Sequence, residues 1–236
     1  MRNKSVFRFK KFSLSHGKAT MKVGTDGVLL GAWTSVLQAN RILDVGTGSG
    51  VIALMLAQRT LPHVHIDAID LSGEDCGVAK ENVAQSPWPE KVKIHHSTVQ
   101  NFLNEPYDLI VSNPPYFNNS FKPPTEKRMA ARHTETLSQF DLLFHSKRLL
   151  SPSGRLSIIL PETEAQHFIK LSSAHGWSCV RVCAFRSRVE KPVERLLLEL
   201  SLQPALAQHE ELILYKSNEE WTDDYKKLTS DFYLKA

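Results

Sequence analysis

Residues 41–59 run as an apolar strand (Arg41–Val45), a turn with three glycines in five residues (Gly46, Gly48, Gly50) and a helical stretch (Val51–Arg59). Few folds use this order. A strand that turns on glycines straight into a helix lets the backbone approach a ligand closely and aims the free N–H groups of the helix start at it. Val64–Ile69 reads as the next strand, closed by Asp70. That acid lies about 20 residues beyond the glycine turn, where a carboxylate can accept both hydroxyls of a ribose.

The glycine spacing discriminates between nucleotide-like ligands. A dinucleotide fingerprint is GxGxxG and would need glycine at position 51; this chain has Val51, and its glycines run GxGxG. Asp44 stands two residues before the first glycine. A carboxylate there repels a pyrophosphate and suits a cationic amino-acid group. Both departures point to S-adenosylmethionine as cofactor, cradled by Asp44, Gly46, Thr47, Gly48 and Gly50, with Asp70 on its ribose.

The same alternation continues along the chain. Ser72–Gln85 reads as a helix, with Ser72 as N-cap and Pro87 blocking continuation. Val92–His95 and Tyr107–Ser112 read as strands, Leu137–Leu150 as a helix, and Ser151–Gly154 as a turn. A strand (Arg155–Leu160) and a helix (Glu162–His175) follow. Trp177–Phe185 and Arg195–Leu202 are strands with no helix between them, so they are expected to pair antiparallel at one edge. The pattern predicts an α/β, Rossmann-like, doubly wound single domain: a mostly parallel seven-stranded sheet with helices on both faces. Residues 1–40 are expected to form an N-terminal basic segment and cofactor-covering motif, and residues 41–236 the Rossmann-like core.

Ser112-Asn113-Pro114-Pro115-Tyr116 follows the fourth of these strands. In an open α/β sheet, ligands bind beyond the carboxyl ends of the strands, so this segment and the glycine turn face one crevice. Consecutive prolines hold φ and remove N–H donors, which leaves a stiff loop with outward carbonyls. The Asn113 side chain and the Pro114 carbonyl make two convergent acceptors for an exocyclic NH₂, and Tyr116 offers a flat face for a planar group. An amine conjugated to an aromatic ring is a poor nucleophile. Acceptors that draw its hydrogens out of the ring plane favour a pyramidal nitrogen whose lone pair is free to attack.

Composition narrows the partners. The 236 residues carry a formal net charge of +4, placed unevenly. Met1–Lys22 holds seven Lys/Arg and no acid, and Lys122–His133 holds Lys122, Lys127, Arg128, Arg132 and His133 against Glu126 alone. Residues 209–236 carry seven acids against four Lys/Arg. Two basic segments brought together attract a polyanion. Three cysteines (Cys76, Cys179, Cys183) without a CxxC pair point away from a disulfide framework or zinc site and toward a reducing, cytoplasmic compartment. No apolar run is long enough to span a membrane, and no apolar stretch follows the basic start as in a signal peptide. His63/His65 and His95/His96 lack metal-ligand spacing, so no metal is expected. Trp33 and Trp88 are expected to pack rather than stack on a base, and Cys76 to be inert. Phe117 and Phe121, beside the proline loop, are candidates to touch RNA or to pack locally.

These residues resemble the class I S-adenosylmethionine-dependent methyltransferases with an NPPY motif. The segment Phe9-Lys10-Lys11-Phe12, His16 and the block Met21–Trp33 (MKVGTDGVLLGAW) narrow the resemblance to the bacterial tRNA(Val) adenine-N6 methyltransferases. With Asp44–Gly50, Asn82 and Asn113–Tyr116, it covers nearly the whole chain. The resemblance implies methylation of adenine N6, at the adenosine 3′ of the anticodon. It also implies that Lys22, Thr25, Asp26 and Gly27 close over the methionine end of the cofactor. Asp44 and Gly46 would flank that end, Leu71 would pack near the adenine, and Asn113, Pro114, Pro115 and Tyr116 would hold the target base, Asn113 bordering the cofactor too. Many relatives carry an Asp after the third strand for the adenine amine; here Thr98 stands there, leaving its hydroxyl or the Val99 backbone to serve. Lys10, Lys11, His16, Lys18, Lys122, Arg128 and Arg132 are the candidate RNA contacts. The NPPY loop alone also suits a protein glutamine amide or a guanine-N2 target, and a nucleotide-like ligand held without turnover is the remaining alternative.

Overall fold

The computed structural model describes residues 6–15, 23–115 and 137–234. A short antiparallel hairpin, β1 (Val6–Arg8) and β2 (Ser13–Ser15), precedes helix α1 (Thr25–Trp33). Then follow β3 (Arg41–Val45), α2 (Val51–Arg59), β4 (His65–Asp70), α3 (Gly73–Ala84), β5 (Val92–His96) and β6 (Tyr107–Ser112). The remainder is α4 (Gln139–Leu149), β7 (Leu150–Pro161), α5 (Glu162–Ala174), β8 (Ser178–Arg188), β9 (Arg195–Ser201), β10 (Gln208–Tyr215) and α6 (Asp223–Thr229).

The large sheet has the order β10-β8-β9-β7-β6-β3-β4-β5. Strands β7, β6, β3, β4 and β5 are mutually parallel, and both faces are covered. One core gathers Ile42, Ile66, Leu109 and Val111 with residues of α1, α2, α3, the hairpin and the C-terminal Phe232. The other gathers Leu43, Val45, Ile110 and Ile158 with α4 and α5. Successive strand residues point to opposite faces, so strands buried on both sides read as continuous apolar runs such as RILDV and YDLIVS. Ser72 caps α3 as expected, accepting from the Asp75 N–H at 3.1 Å.

The sheet corrects three expectations. It has eight strands rather than seven. The eighth, β10, begins with the polar run Gln208-His209-Glu210-Glu211, which lies exposed and gives no periodic signal; of the strand only Leu212 is buried. It runs parallel to β8 and takes the edge. The β8–β9 pair is therefore not an edge hairpin: β9 inserts between β7 and β8, antiparallel to both. Lastly, Ser151–Gly154 is not a turn outside the sheet but a bulge inside β7. Tyr107 pairs with Leu150 while Leu109 pairs with Arg155, so the extra residues buckle between two in-register ends.

β10 also accounts for two of the acids in the C-terminal region. Glu210 and Glu211 each accept from a guanidinium of β8, Arg181 and Arg186, at 2.7 Å. Arg181 lies 4.0 Å over the ring of Trp33, whose indole N–H donates to Glu210 at 2.8 Å. Trp33 is thus a packing residue, as the sequence suggested, and Trp88 likewise makes an edge contact with Phe12. Burial pushes the Cys76 thiol above its ordinary pKa, so it lacks the thiolate of a nucleophile.

The α1–α2 contact is close-packed. A Cβ at Gly31 would stand 2.8 Å from Met55 Sδ and 3.1 Å from its Cβ. Gly31→Val is expected to cost about 1–3 kcal/mol through overpacking, despite the better helix propensity of most residues over glycine. A thermal melt of the variant checks this; an unchanged or higher Tm would show that the two helices give way freely.

Candidate active site

β3 lies between β4 and β6, and the chain runs outward from it in both directions, so the loops after these three strands meet at the switch point of the sheet. Val45 pairs with Ile69 on one side and Ser112 on the other. The residues that follow — the glycine turn, Asp70 and Asn113 — therefore share one crevice. The Ser112 hydroxyl donates to the Val45 carbonyl at 2.9 Å and ties the base of the proline loop to the strand carrying the glycine turn.

The glycine turn is held by its neighbours. Gly46 and Thr47 N–H groups donate to the Ile69 carbonyl at 2.9 and 3.0 Å. Gly48 N–H donates to Asp70 Oδ2 at 2.8 Å, and Ser72 N–H to Asp70 Oδ1 at 2.9 Å. Gly46 and Gly48 have φ of 74° and 53°, and a Cβ on either would meet nothing within 4 Å. Their positive φ demands glycine, and the open space beside them is the cradle a bound cofactor would enter. Gly50 instead approaches Ala79 of α3.

Asp44 is fully buried at the floor of this crevice. Its Oδ2 accepts from the Thr47 hydroxyl at 2.7 Å and the Ala53 N–H at 3.2 Å. Its Oδ1 is buried with no hydrogen-bond partner among the described residues. An orphaned carboxylate oxygen is costly unless something completes it. Burial pushes the Asp44 pKa up to about 7, opposed by the Thr47 and Ala53 hydrogen bonds and reinforced by the nearby Asp70 charge. The unpaired oxygen, the open glycine cradle and an acid at the end of β4 fit a ligand with an ammonium group and a ribose, which is the donor set S-adenosylmethionine requires. Leu71, 48% exposed, stands beside Asp70 as an uncovered apolar surface.

The start of α1 joins the same crevice. A Cβ at Gly27 would lie 3.3 Å from Val51 and 3.9 Å from Asn113 Nδ2, so α1, α2 and the proline loop converge on this glycine. Asp26 accepts from Arg195 Nε at 2.9 Å. Sequence reasoning misses Arg195, at the start of β9, because nothing local marks an arginine brought in from 169 positions away. Asn113 is half-buried, Pro114 buried and Pro115 exposed.

The adenine end is less open than expected. Thr98 Oγ1 accepts from the Asn101 N–H at 3.3 Å, which leaves one lone pair free. Val99 is buried, and its carbonyl accepts from Arg148 at 3.0 Å. Of the candidate RNA contacts, Lys10 and Lys11 are exposed in the turn of the β1–β2 hairpin. Lys10 Nζ also donates to the Ser230 carbonyl beyond α6, at 2.6 Å. Lys22, Tyr116, His16, Lys18, Lys122, Arg128 and Arg132, with Phe117 and Phe121, lie outside the described residues. Among the described residues no group of three His, Cys, Asp or Glu could hold a metal ion, and no helix is long and apolar enough to cross a membrane.

The methyltransferase small domain family matches residues 19–176 of the chain. A tRNA1(Val) (adenine(37)-N6)-methyltransferase of Aeromonas hydrophila is 43% identical over 237 residues, covering all of both chains. One of Parabacteroides distasonis is 44% identical over 233 residues, covering 97% of this chain and 98% of its own. Among solved structures, a predicted O-methyltransferase of Agrobacterium tumefaciens superposes with TM-score 0.68 at 17% identity, over 88% of this chain and 96% of its own. A glycopeptide N-methyltransferase complexed with S-adenosyl-L-methionine superposes with TM-score 0.56 at 11% identity, over 77% of this chain and all of its own. The structural likenesses carry the Rossmann-like methyltransferase fold; with the sequence relatives and the crevice at β3, they show that the chain belongs to the methyltransferase small domain family, among its tRNA1(Val) (adenine(37)-N6)-methyltransferases.

Proposed function

We propose that this chain transfers a methyl group from S-adenosylmethionine to N6 of adenine 37 in tRNA1(Val), in the cytoplasm. The observation that carries this reading is the placement of Asn113 at the end of β6, beside the glycine turn and against Gly27. Relatives 43% and 44% identical over nearly the whole chain bear that activity in their names.

Bound in the crevice, the cofactor supplies an electrophilic methyl carbon. Asp44, the glycine turn, Asp70 and Leu71 would hold it, with Thr25, Asp26, Gly27 and Lys22 over its amino-acid end and Thr98 or Val99 at its adenine. The chain's own contribution is positioning and hydrogen bonding. Asn113 Oδ1 and the Pro114 carbonyl accept the two N6 hydrogens and draw them from the ring plane, freeing the lone pair. Pro114 is buried and the strand end is anchored through Ser112, so the acceptors stay fixed as the base arrives. Tyr116 offers the stacking face. No base is needed before attack, because the nitrogen sheds its proton once alkylated. An unpaired anticodon-loop adenine can be splayed out without melting a duplex.

The test is incubation of the purified protein with tritiated cofactor and, in separate arms, unmodified tRNA, ribosomal RNA or a protein extract, followed by nucleoside or protein digestion and mass spectrometry. N6-methyladenosine at position 37 is the expected product. Label in N2-methylguanosine or in glutamine of a protein extract would replace this reading with one of its rivals.

The basic hairpin gives a second measurement. Replacing Lys10, Lys11 and Lys18 together by Gln is expected to raise the KM for tRNA. It should also flatten the log–log salt dependence of binding by about 2, since each phosphate that a lysine neutralises adds ~0.7 to the slope on a single strand. An unchanged slope would remove this arm from the interface.

A further inference from the structure

We infer that Asn82 is a positioning residue that couples the N-terminal hairpin to the cofactor turn, so that cofactor binding and docking of the hairpin strengthen one another. Asn82 lies on α3, is 1% exposed and is not among the residues that would themselves hold the cofactor or the target base. Its Oδ1 accepts from the Ser15 N–H at 2.8 Å, and its Nδ2 donates to the Ser15 carbonyl at 3.0 Å. The second Nδ2 hydrogen goes to the carbonyl of Ser49, inside the glycine turn, at 2.9 Å. The carboxamide thus acts as a detached peptide group. It pairs with the outer side of β2, which runs antiparallel to β1 with Ser15 opposite Val6, and it closes on the turn at the same time.

The geometry demands this side chain. The task is one acceptance and two donations in three fixed directions from a buried point. Asparagine has two amide hydrogens and one carbonyl at that reach. Aspartate lacks the donors, serine and alanine lack the reach, and glutamine sets the amide one methylene too far. The turn side is equally specific. The Ala53 N–H, one of the free donors of the helix start, goes to Asp44, and the Ser49 carbonyl four residues earlier accepts from Asn82. One turn before Asn82, Ala79 stands where a Cβ added at Gly50 would come within 3.6 Å of it, so α3 lies against the glycine turn at two positions one turn apart. Ten positions after Ser15 the chain enters Thr25-Asp26-Gly27, which stands over the same crevice. Whatever orders the glycine turn therefore orders Asn82, and through it the hairpin that precedes α1. Such coupling is reciprocal by thermodynamic necessity.

The coupling rests on S-adenosylmethionine binding at the glycine turn, and the experiment separates the two. Amide hydrogen exchange is measured on the wild-type chain with and without saturating S-adenosylmethionine, and cofactor Kd and kcat are measured on Asn82→Ala and Asn82→Asp. The expected result is that exchange at Gly46–Gly50 and at Ser15 both slow with cofactor, Ser15 by about tenfold. Both variants should raise the cofactor Kd about tenfold while kcat at saturating cofactor stays within about threefold. A merely structural role would lower the active fraction, hence kcat, and leave Kd untouched. If the glycine turn slows and Ser15 does not, the coupling is wrong and the cofactor site stands. If neither slows, both fall. Should the variants not fold, the wild-type exchange data alone decide.

Discussion

Asn113→Ala is expected to lower kcat by at least about a thousandfold, roughly 4 kcal/mol of barrier, while cofactor Kd changes less than about threefold. The side chain is half-buried at the end of β6 and borders Gly27, so its loss opens only a shallow gap and leaves both cores intact. What disappears is an acceptor placed where the reacting nitrogen must shed its planarity. Asn113→Asp keeps an oxygen there and should retain more turnover than alanine. Single-turnover rates with saturating cofactor and tRNA, beside calorimetric cofactor titration, measure both quantities. Turnover within about tenfold of wild type would show that Asn113 does not hold the amine.

Asp44→Asn is expected to stabilise the cofactor-free protein and to weaken cofactor binding by at least about a hundredfold. Burial raises the Asp44 pKa from 3.8 to about 7. In the unfolded chain the carboxyl ionises near its ordinary value. Between about pH 4 and 7 the folded protein therefore holds a proton that the unfolded chain has lost, and stability falls as pH rises through that window. Above it the cost levels off on the order of 4 kcal/mol. Asparagine carries no such cost, so thermal melts of variant and wild type should diverge from pH 5 to 8, the variant being higher at pH 8. Cofactor affinity should respond with the opposite sign: an ammonium group needs the carboxylate, so wild-type affinity drops as pH falls below about 7. The bond from the Asn82 amide to the Ser49 carbonyl does not involve Asp44, which keeps the two tests independent. A flat cofactor affinity between pH 5.5 and 8 would mean that Oδ1 is not completed by a cation.

The crevice was legible because its chemistry is local. Glycines at alternate positions, an acid two residues before them and prolines behind an asparagine each impose a backbone shape by their own covalent structure, and strand–helix alternation places the three loops at one end of a parallel sheet. Short-range constraints of this kind are written in adjacent residues. β10 was not legible, since its polar first half owes its strand geometry to pairing with β8 and to Arg181 and Arg186, more than 20 positions upstream. Arg195 beside Asp26 and Asn82 between Ser15 and Ser49 were hidden for the same reason.

What the sequence alone determined, then, was the class of fold, the loops that meet at the switch point and the type of chemistry, because these follow from dihedral limits and apolar periodicity within a few residues. Only the tertiary structure decided which strand sits at the edge, that Asp44 keeps an oxygen unpartnered among the described residues, and that one buried carboxamide links the first hairpin to the glycine turn. Those outcomes depend on burial and on partners distant in the chain, and desolvation acquires its magnitude only once the surrounding walls are in place.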